Sequence, residues 1–246
     1  MEIYRGEIEL LDYVFYATVE RGKVYETGSF IHNYALAYAL GLAQGDTYAY
    51  AQLAQEPHYQ EELTPLNGRV YLTPGQAVRV SHRLVQWNTL REAYAFPGKP
   101  PSLGYPDWGF ARMLRPGSRF LFYILLSAQS LDAVAPAIAD LLAGRRTRVR
   151  LGKFSAKARL EMHKADQVRA ANGPFTSEPL LNWRDLGVDP VVCDVLASSL
   201  PTRLISRAQF GNEGYYEAHF GADVVRLPTA MRFLARTPQP AGRKRR

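Results

Sequence analysis

Hydrophobic and polar residues alternate from the start of the chain. Ile8 and Leu10 alternate with Glu7 and Glu9, and Tyr13, Phe15, Ala17 and Val19 alternate with Val14, Tyr16 and Thr18. The parity shifts between the two runs, which predicts one strand over 2–20 with a bulge near Leu11 and Asp12. Ile31, Ala35, Tyr38, Ala39 and Leu42 then recur at helical spacing. They predict a helix over 30–43 with Ser29 as N-cap and Gly45 as its stop. Segments 69–72 and 78–86 read as strands. The stretch 96–110 mixes Pro, Gly and aromatics without a period, so 46–118 reads as an arm inserted into a smaller core.

Order returns with the apolar run from Phe120 to Leu126, the mark of a strand buried on both faces. A short helix follows and ends at Gly144; either Ser130 caps it or Pro136 opens it. From 145 to 161 the alternation is clean. A two-residue turn at Gly152 and Lys153 would set Leu151 opposite Phe154, Val149 opposite Ala156 and Arg148 opposite Lys157. Apolar side chains then share one face, and Arg146, Arg148, Arg150, Lys157 and Arg159 share the other. Further on, 174–190 is turn-rich and 191–199 reads as a short helix. Segments 202–210 and 215–220 read as a hairpin around Gly211-Asn212-Glu213-Gly214, with an edge strand at 224–227. This order predicts an α+β fold of antiparallel strands with helices on one face, and a ferredoxin-like core is a small member of that class.

Charge changes the picture when it is located. The chain has 246 residues and a formal net charge of +7. Residues 144–170 hold nine Lys/Arg and two acids, and residues 226–246 hold seven Lys/Arg and no acid, so the remaining body is acidic. Two basic segments on an acidic body are the footprint of a polyanion partner, most often nucleic acid. Five like charges on one hairpin face oppose folding and imply an external anion. In the arm, Arg69, Arg79, Arg83, Lys99 and Arg112 add further cations. Tyr34, Tyr105 and Trp108 are expected to be exposed enough to stack on bases. His32 and Asn33 fall in a first helical turn, where backbone N–H groups favour an anion or simply a cap.

Several chemistries are excluded by pattern. There is no phosphate-binding glycine loop, no G-x-S-x-G and no G-x-G-x-x-G. The five histidines lack metal-ligand spacing, so neither a metal nor a cofactor is expected. One cysteine, Cys193, precludes an internal disulfide and is expected to be a small buried residue. No apolar run reaches membrane length, and no leader is expected, which points to a cytoplasmic protein. Metal-free RNA cleavage stays open, since it needs only a base, an acid and a cation. His32, His58, His82 and Tyr59 are its candidates.

Certain strings identify a relative. Tyr4-Arg5-Gly6, Asp12-Tyr13-Val14-Phe15-Tyr16-Ala17-Thr18, Ile31-His32-Asn33-Tyr34-Ala35-Leu36 and Tyr71-Leu72-Thr73-Pro74 occur in order. They are followed by Arg150-Leu151-Gly152-Lys153-Phe154 and Lys157. Together they resemble the small subunit of type I-D CRISPR Cascade that caps the five-prime handle of the guide RNA (crRNA). The resemblance weakens over 95–110 and after Leu234. It implies a repeat-associated RNA-binding (RAMP) core, ferredoxin-like or RRM-like, with an inserted arm. On that view residues 1–235 form one domain, with 46–118 the arm, an additional C-terminal hairpin and a basic tail at 236–246. The implied partners are the guide RNA, the backbone and large subunits of the antiviral ribonucleoprotein complex, and target DNA near the flanking motif. His32, Asn33, Tyr34, Arg146, Arg148, Arg150, Lys153, Lys157 and Arg159 are the expected RNA-binding residues, with no catalytic residue among them. The alternative is a metal-independent endoribonuclease that processes precursor crRNA. A third possibility is a structural bridge that contacts protein and little RNA.

Overall fold

A computed structural model describes residues 1–16, 18–21, 24–43, 58–89, 107–127, 136–144, 147–152, 156–196 and 200–236. β1 (Glu2–Leu10) and β9 (Arg119–Leu126) lie at the centre of the principal sheet and pair antiparallel along their length. Among the described residues that sheet has seven strands. It runs β10 (Arg148–Leu151), β11 (Ala156–Lys164), β1, β9, β6 (Gly75–Arg79) and β4 (Phe30–Ile31), with β5 (Val70–Leu72) also on β9. Helix α1 (Asn33–Ala39) packs against β5 and β10, α2 (Tyr59–Leu63) against α1, and α3 (Pro136–Leu142) against β11. Ile3, Ile8, Leu10, Leu36, Leu40, Phe120 and Phe122 are fully buried between these layers.

A second sheet, five-stranded among the described residues, is organised around β15 (Leu204–Phe220). β12 (Gln167–Ser177) and β13 (Leu181–Asn182) pair with it, as do β14 (Val192–Val195) and β16 (Asp223–Pro228). Its far end covers part of the principal sheet. The Phe220 ring lies 6.0 Å from the Tyr123 ring, the Arg5 guanidinium stands 5.1 Å over Phe220, and Arg5 donates to Asp223 at 3.0 Å. Residues Phe122 to Leu126 are thereby buried on both faces, as their unbroken apolar run predicts. A smaller sheet holds β2 (Val19–Arg21), β3 (Val24–Glu26), β8 (Asp107–Leu114) and β7 (His82–Thr89), with β3 and β8 parallel. The fold is mixed α+β, mostly strand and almost wholly antiparallel.

The observed elements correct several expectations. The first strand ends at Leu10 instead of bulging through to residue 20; the chain bends at Leu11 and Asp12 and meets β8 through a Val14–Leu114 bridge and the packing of Phe15 on Ala111 and Met113. The helix begins at Asn33, because Phe30 and Ile31 pair with β6 as a strand. His32, not Ser29, caps it: His32 Nδ1 accepts from Tyr34 N–H at 3.2 Å. Gly41, not Gly45, ends it. Gly41 has φ +77°, and its N–H and that of Leu42 return to the carbonyls of Tyr38 and Ala37. This is a Schellman closure, which favours glycine at the left-handed position. The buried face of α1 is also out of phase with the apolar stripe. Asn33, Tyr34, Leu36 and Ala37 are buried, whereas Ala35, Tyr38 and Ala39 are half-exposed. Polar partners inside the protein, described below, draw Asn33 and Tyr34 inward.

Of the described strands in 46–118, β5 and β6 belong to the principal sheet, and β7 and β8 leave it. Thr73 bridges the break between β5 and β6: its N–H donates to the Tyr123 carbonyl and its Oγ1 accepts from Tyr123 N–H, both at 2.9 Å. That carries the ladder past Pro74, which has no N–H to give. Of the expected helix over 191–199, the described part is extended: β14 is an edge strand, Cys193 on it is half-buried, and 197–199 lie outside the described residues. β12 runs through Pro174, where a turn was expected. β15 stays extended through Gly211 and Gly214, where the sequence predicts a hairpin. A Cβ at Gly214 would meet Thr229 Oγ1 at 2.8 Å, so this glycine permits close strand approach and makes no turn. α3 is described from Pro136, whereas Ser130, the other predicted start, lies outside the described residues, and 224–227 lies within β16.

Candidate nucleic-acid interface

The basic hairpin forms with its predicted faces but in a different register. Leu151 pairs with Ala156, Arg150 with Lys157, Val149 with Ala158 and Arg148 with Arg159. The connection therefore spans 152–155 instead of two residues. Gly152, at φ +80°, abuts Phe15, where a Cβ would meet the Phe15 carbonyl oxygen at 3.0 Å. Two-residue periodicity survives a shift of two, so the faces are unchanged. Val149, Leu151, Ala156, Ala158 and Leu160 are buried, and Arg148, Arg150, Lys157 and Arg159 are exposed. Arg146, Lys153 and Phe154 lie outside the described residues.

Pairing across the sheet extends this face beyond the hairpin. Arg148 is opposite Arg159, Arg159 opposite Glu9, Glu9 opposite Arg119, and Arg119 opposite Arg79. Directly opposed residues point to the same side of a sheet. Five strands thus present one row of four arginines and one glutamate, about 19 Å long at ordinary strand spacing. Glu9 contacts the Arg159 guanidinium and lies 3.8 Å from that of Arg119. Its charge leaves the row itself at a net +3; Arg150 and Lys157 stand beside it, and so does Glu161, 3.7 Å from Arg159. Arg119 was not singled out in the sequence. It opens a strand that is otherwise apolar, so only the cross-strand register reveals it as a member of the row. Arg79 appeared among the arm cations, although its strand belongs to the principal sheet.

The expected site at the start of α1 is sealed. His32 is 5% exposed, Asn33 0% and Tyr34 1%. Their polar atoms converge on Asp185, which lies in a 3-10 turn (Trp183–Asp185) and is itself fully buried. The Asp185 carboxylate accepts from Asn33 Nδ2 at 2.7 Å, Tyr34 Oη at 2.8 Å, Leu234 N–H at 2.9 Å, Asn182 Nδ2 at 3.0 Å and Tyr71 Oη at 3.1 Å. Asn182 Nδ2 also donates to Asn33 Oδ1, and Thr202 Oγ1 donates to Asn182 Oδ1. Because His32 Nδ1 accepts the cap bond, its Nε2 carries the proton and donates to Thr202 Oγ1 at 2.8 Å. Burial pushes the Asp185 carboxyl up to about 6, opposed by its five donors, and pushes His32 down to about 3. Burial and the Asp185 charge also hold the Tyr34 and Tyr71 phenols far above their ordinary range.

The expected RNA contact at His32, Asn33 and Tyr34 is therefore corrected. These side chains tie α1 and β5 to the C-terminal half of the chain, and none reaches solvent. The other candidates separate. His82 Nε2 donates to the Thr27 carbonyl at 3.0 Å, and the Tyr59 ring packs 4.9 Å from Tyr34. His58 stands beside Glu61. Tyr105 lies outside the described residues, and so does the side chain of Trp108. Among the described residues no group of His, Cys, Asp and Glu is arranged to hold a metal, and no helix is long and apolar enough to cross a membrane.

Comparison with known proteins supplies the family. No curated protein matches the sequence. A crystal structure of a CRISPR protein from Archaeoglobus fulgidus is 12% identical, with TM-score 0.43, over 93% of this chain and 100% of that one. A chain in the cryo-EM structure of the type III-B Cmr-beta complex bound to cognate target RNA and AMPPnP is 12% identical, with TM-score 0.44, over 82% of this chain and 86% of that one. The family model described as type I-D CRISPR-associated protein Cas5/Csc1 matches residues 1–236. The chain belongs to the type I-D CRISPR-associated Cas5/Csc1 family.

Proposed function

We propose that this protein is a non-catalytic subunit that binds guide RNA and caps its five-prime handle in a type I-D CRISPR surveillance complex. The observation that carries this reading is the arginine row from Arg148 to Arg79, together with Arg150 and Lys157. Like charges set opposite each other cost folding energy and are offset when a polyanion lies across them. The protein then holds the strand by its backbone while base pairing by the guide reads the target. In this reading the principal sheet with α1 and α3 is the RAMP, ferredoxin-like core. Backbone and large subunits of the complex are its protein partners, target DNA near the flanking motif is a further contact, and the cytoplasm is its compartment.

The binding reading is supported over cleavage by the fate of His32. A general base must reach the proton it abstracts, and a neutral imidazole closed inside the core reaches none. The deciding experiment incubates the purified chain with labelled repeat RNA in chelator. A mobility shift without cleavage is expected. Cleavage would establish the nuclease instead, and neither shift nor cleavage would leave a structural bridge.

A further inference from the structure

The arginine row ends at a cleft that the sequence did not signal. Two connections lie side by side there. One joins β6 to β7 through Val80 and Ser81. The other joins β8 to β9 through Arg115, Pro116, Gly117 and Ser118, with Pro and Gly at the central positions that turns favour. Arg115 N–H donates to the Ser81 carbonyl at 2.9 Å, Ser81 N–H to Ser118 Oγ at 3.4 Å, and Gly117 N–H to the Leu10 carbonyl at 2.7 Å. The two connections are thus tied to each other and to the end of β1. Arg79, Ser81, Arg115, Gly117 and Ser118 line the cleft between them.

Its charge is unbalanced. Among the described residues Arg79 donates only to the Gly117 carbonyl, at 3.3 Å, and that weak contact holds its guanidinium at the cleft wall. Neighbouring Arg83 donates to the Tyr13 hydroxyl at 3.0 Å, and the Arg83 and Arg115 charges both draw that phenol below its ordinary range. Among the described residues no carboxylate forms an ion pair with Arg79, Arg83 or Arg115. Two exposed guanidiniums and an exposed serine hydroxyl around one concavity offer planar and bent donors to a tetrahedral anion.

We propose that this cleft is a phosphate-binding site, and that it takes one backbone phosphodiester of a nucleic-acid strand lying along the arginine row. The identity of the strand rests on the RNA-binding reading above; the phosphate chemistry of the cleft does not. Phosphate oxygens carry no base or sugar information, so the cleft contributes equally to RNA and DNA strands of one sequence.

The test uses the full chain, the double variant Arg79→Ala/Arg115→Ala and the charge-keeping variant Arg79→Lys/Arg115→Lys. Binding of a short single-stranded RNA, and of the DNA of the same sequence, is measured across a salt series. With one phosphate no longer held, the alanine variant shows a slope of log K against log salt that is shallower by about 0.7 and a low-salt affinity about tenfold weaker, for both strands. The lysine variant keeps the slope. Thermal stabilisation by inorganic phosphate over chloride at equal ionic strength forms the second arm, and is expected in the wild type and abolished in the alanine variant. Wild-type RNA binding with unchanged slope and affinity in the alanine variant overturns the cleft and leaves the RNA reading intact. No wild-type RNA binding, with a phosphate effect that the alanine variant abolishes, overturns the RNA reading and leaves a site for free phosphate. Absence of both effects overturns the cleft.

Discussion

The pocket around Asp185 and the row from Arg148 to Arg79 are both clusters of polar side chains, and they solve opposite problems. At Asp185 one carboxylate meets five donors, every side chain among them is buried, and among the described residues no cation forms an ion pair with it. On the sheet face four guanidiniums meet two carboxylates, Glu9 within the row and Glu161 beside it, and the guanidiniums stand toward solvent. A buried polar network must be complete within the protein, since each orphaned group costs the desolvation it never recovers. An exposed row tolerates incompleteness, because water screens its repulsion until a ligand arrives. Completeness is therefore the mark of a structural cluster here, and unbalanced charge is the mark of a binding one. The strings that identify the family, Ile31-His32-Asn33-Tyr34 and Tyr71-Leu72-Thr73-Pro74, fall mostly on the structural side.

The sharpest way to break this division is Asp185→Ala. Tyr34 Oη, Tyr71 Oη and Leu234 N–H would lose their acceptor in a dry site, and Asn33 and Asn182 would each lose one of two Nδ2 bonds. A loss of about 4 kcal/mol is expected, in the range for removing one side of a buried charged network. For a chain of this size that lowers Tm by about 12 °C. RNA affinity measured well below the new Tm should match the wild type. A fall in affinity of tenfold or more at a temperature where circular dichroism is native would place Asp185 in the interface.

The same pocket makes a pH prediction with two opposing signs. The Asp185 carboxyl is raised to about 6 from 3.8, so between about pH 4 and 6 the folded state holds a proton that the unfolded state has lost. That contribution decreases stability as pH rises through the window. His32 is lowered to about 3 from 6.5, so over the same window the unfolded state holds the extra proton. That contribution increases stability as pH rises. The two cancel in the wild type. His32→Gln uncovers the first, and stability relative to wild type should fall with rising pH by about 1.4 kcal/mol per unit between 4 and 6. Asp185→Asn uncovers the second, with the opposite slope. Denaturant titrations at pH 4, 5 and 6 read both, and parallel pH profiles for all three proteins would show that the groups do not titrate as their burial dictates.

How much of this was legible in the sequence follows from what each pattern encodes. Alternation in 148–151 and 156–160 set the two faces of the hairpin, because its period of two is strict. It did not set the register, because a shift of two residues leaves both faces unchanged. Period 3.6 marked α1 but put the wrong face inward. Asn33 and Tyr34 read as surface residues until Asp185, more than 150 positions later, supplies their partner. Glycine misled at 211–214 because steric room and turn propensity use the same residue. The arginine row lies across five strands drawn from 9, 79, 119, 148 and 159, so no window of sequence contains it.

The binding side of the division is tested by Arg148→Ala/Arg150→Ala/Lys157→Ala. Removing exposed like charges should leave stability within about 0.5 kcal/mol of wild type. The salt slope of RNA binding should flatten by about 0.7 for each of these side chains that reaches a phosphate, so by about 2 if all three do. An unchanged slope with unchanged affinity would show a face that is merely solvated.

The smallest expected effect comes from Glu9, the single acid in the row, and it sharpens the comparison most finely. Glu9 is part of the fold, since its side chain is 23% exposed and it touches Arg159 while standing 3.8 Å from Arg119. It also competes with any anion for those guanidiniums. In the Asp185 pocket the carboxylate completes the network; in the row it only dilutes the charge. Glu9→Gln keeps the shape and removes the competitor. Partly exposed ion pairs contribute little, so stability should fall by no more than about 1 kcal/mol. Arg159 and Arg119 are then released to the ligand, and low-salt RNA affinity should rise by about threefold with a slope steeper by up to about 0.7. A fall in affinity would mean that Glu9 orients the two arginines for binding, and the row would then resemble the buried pocket in needing its acid.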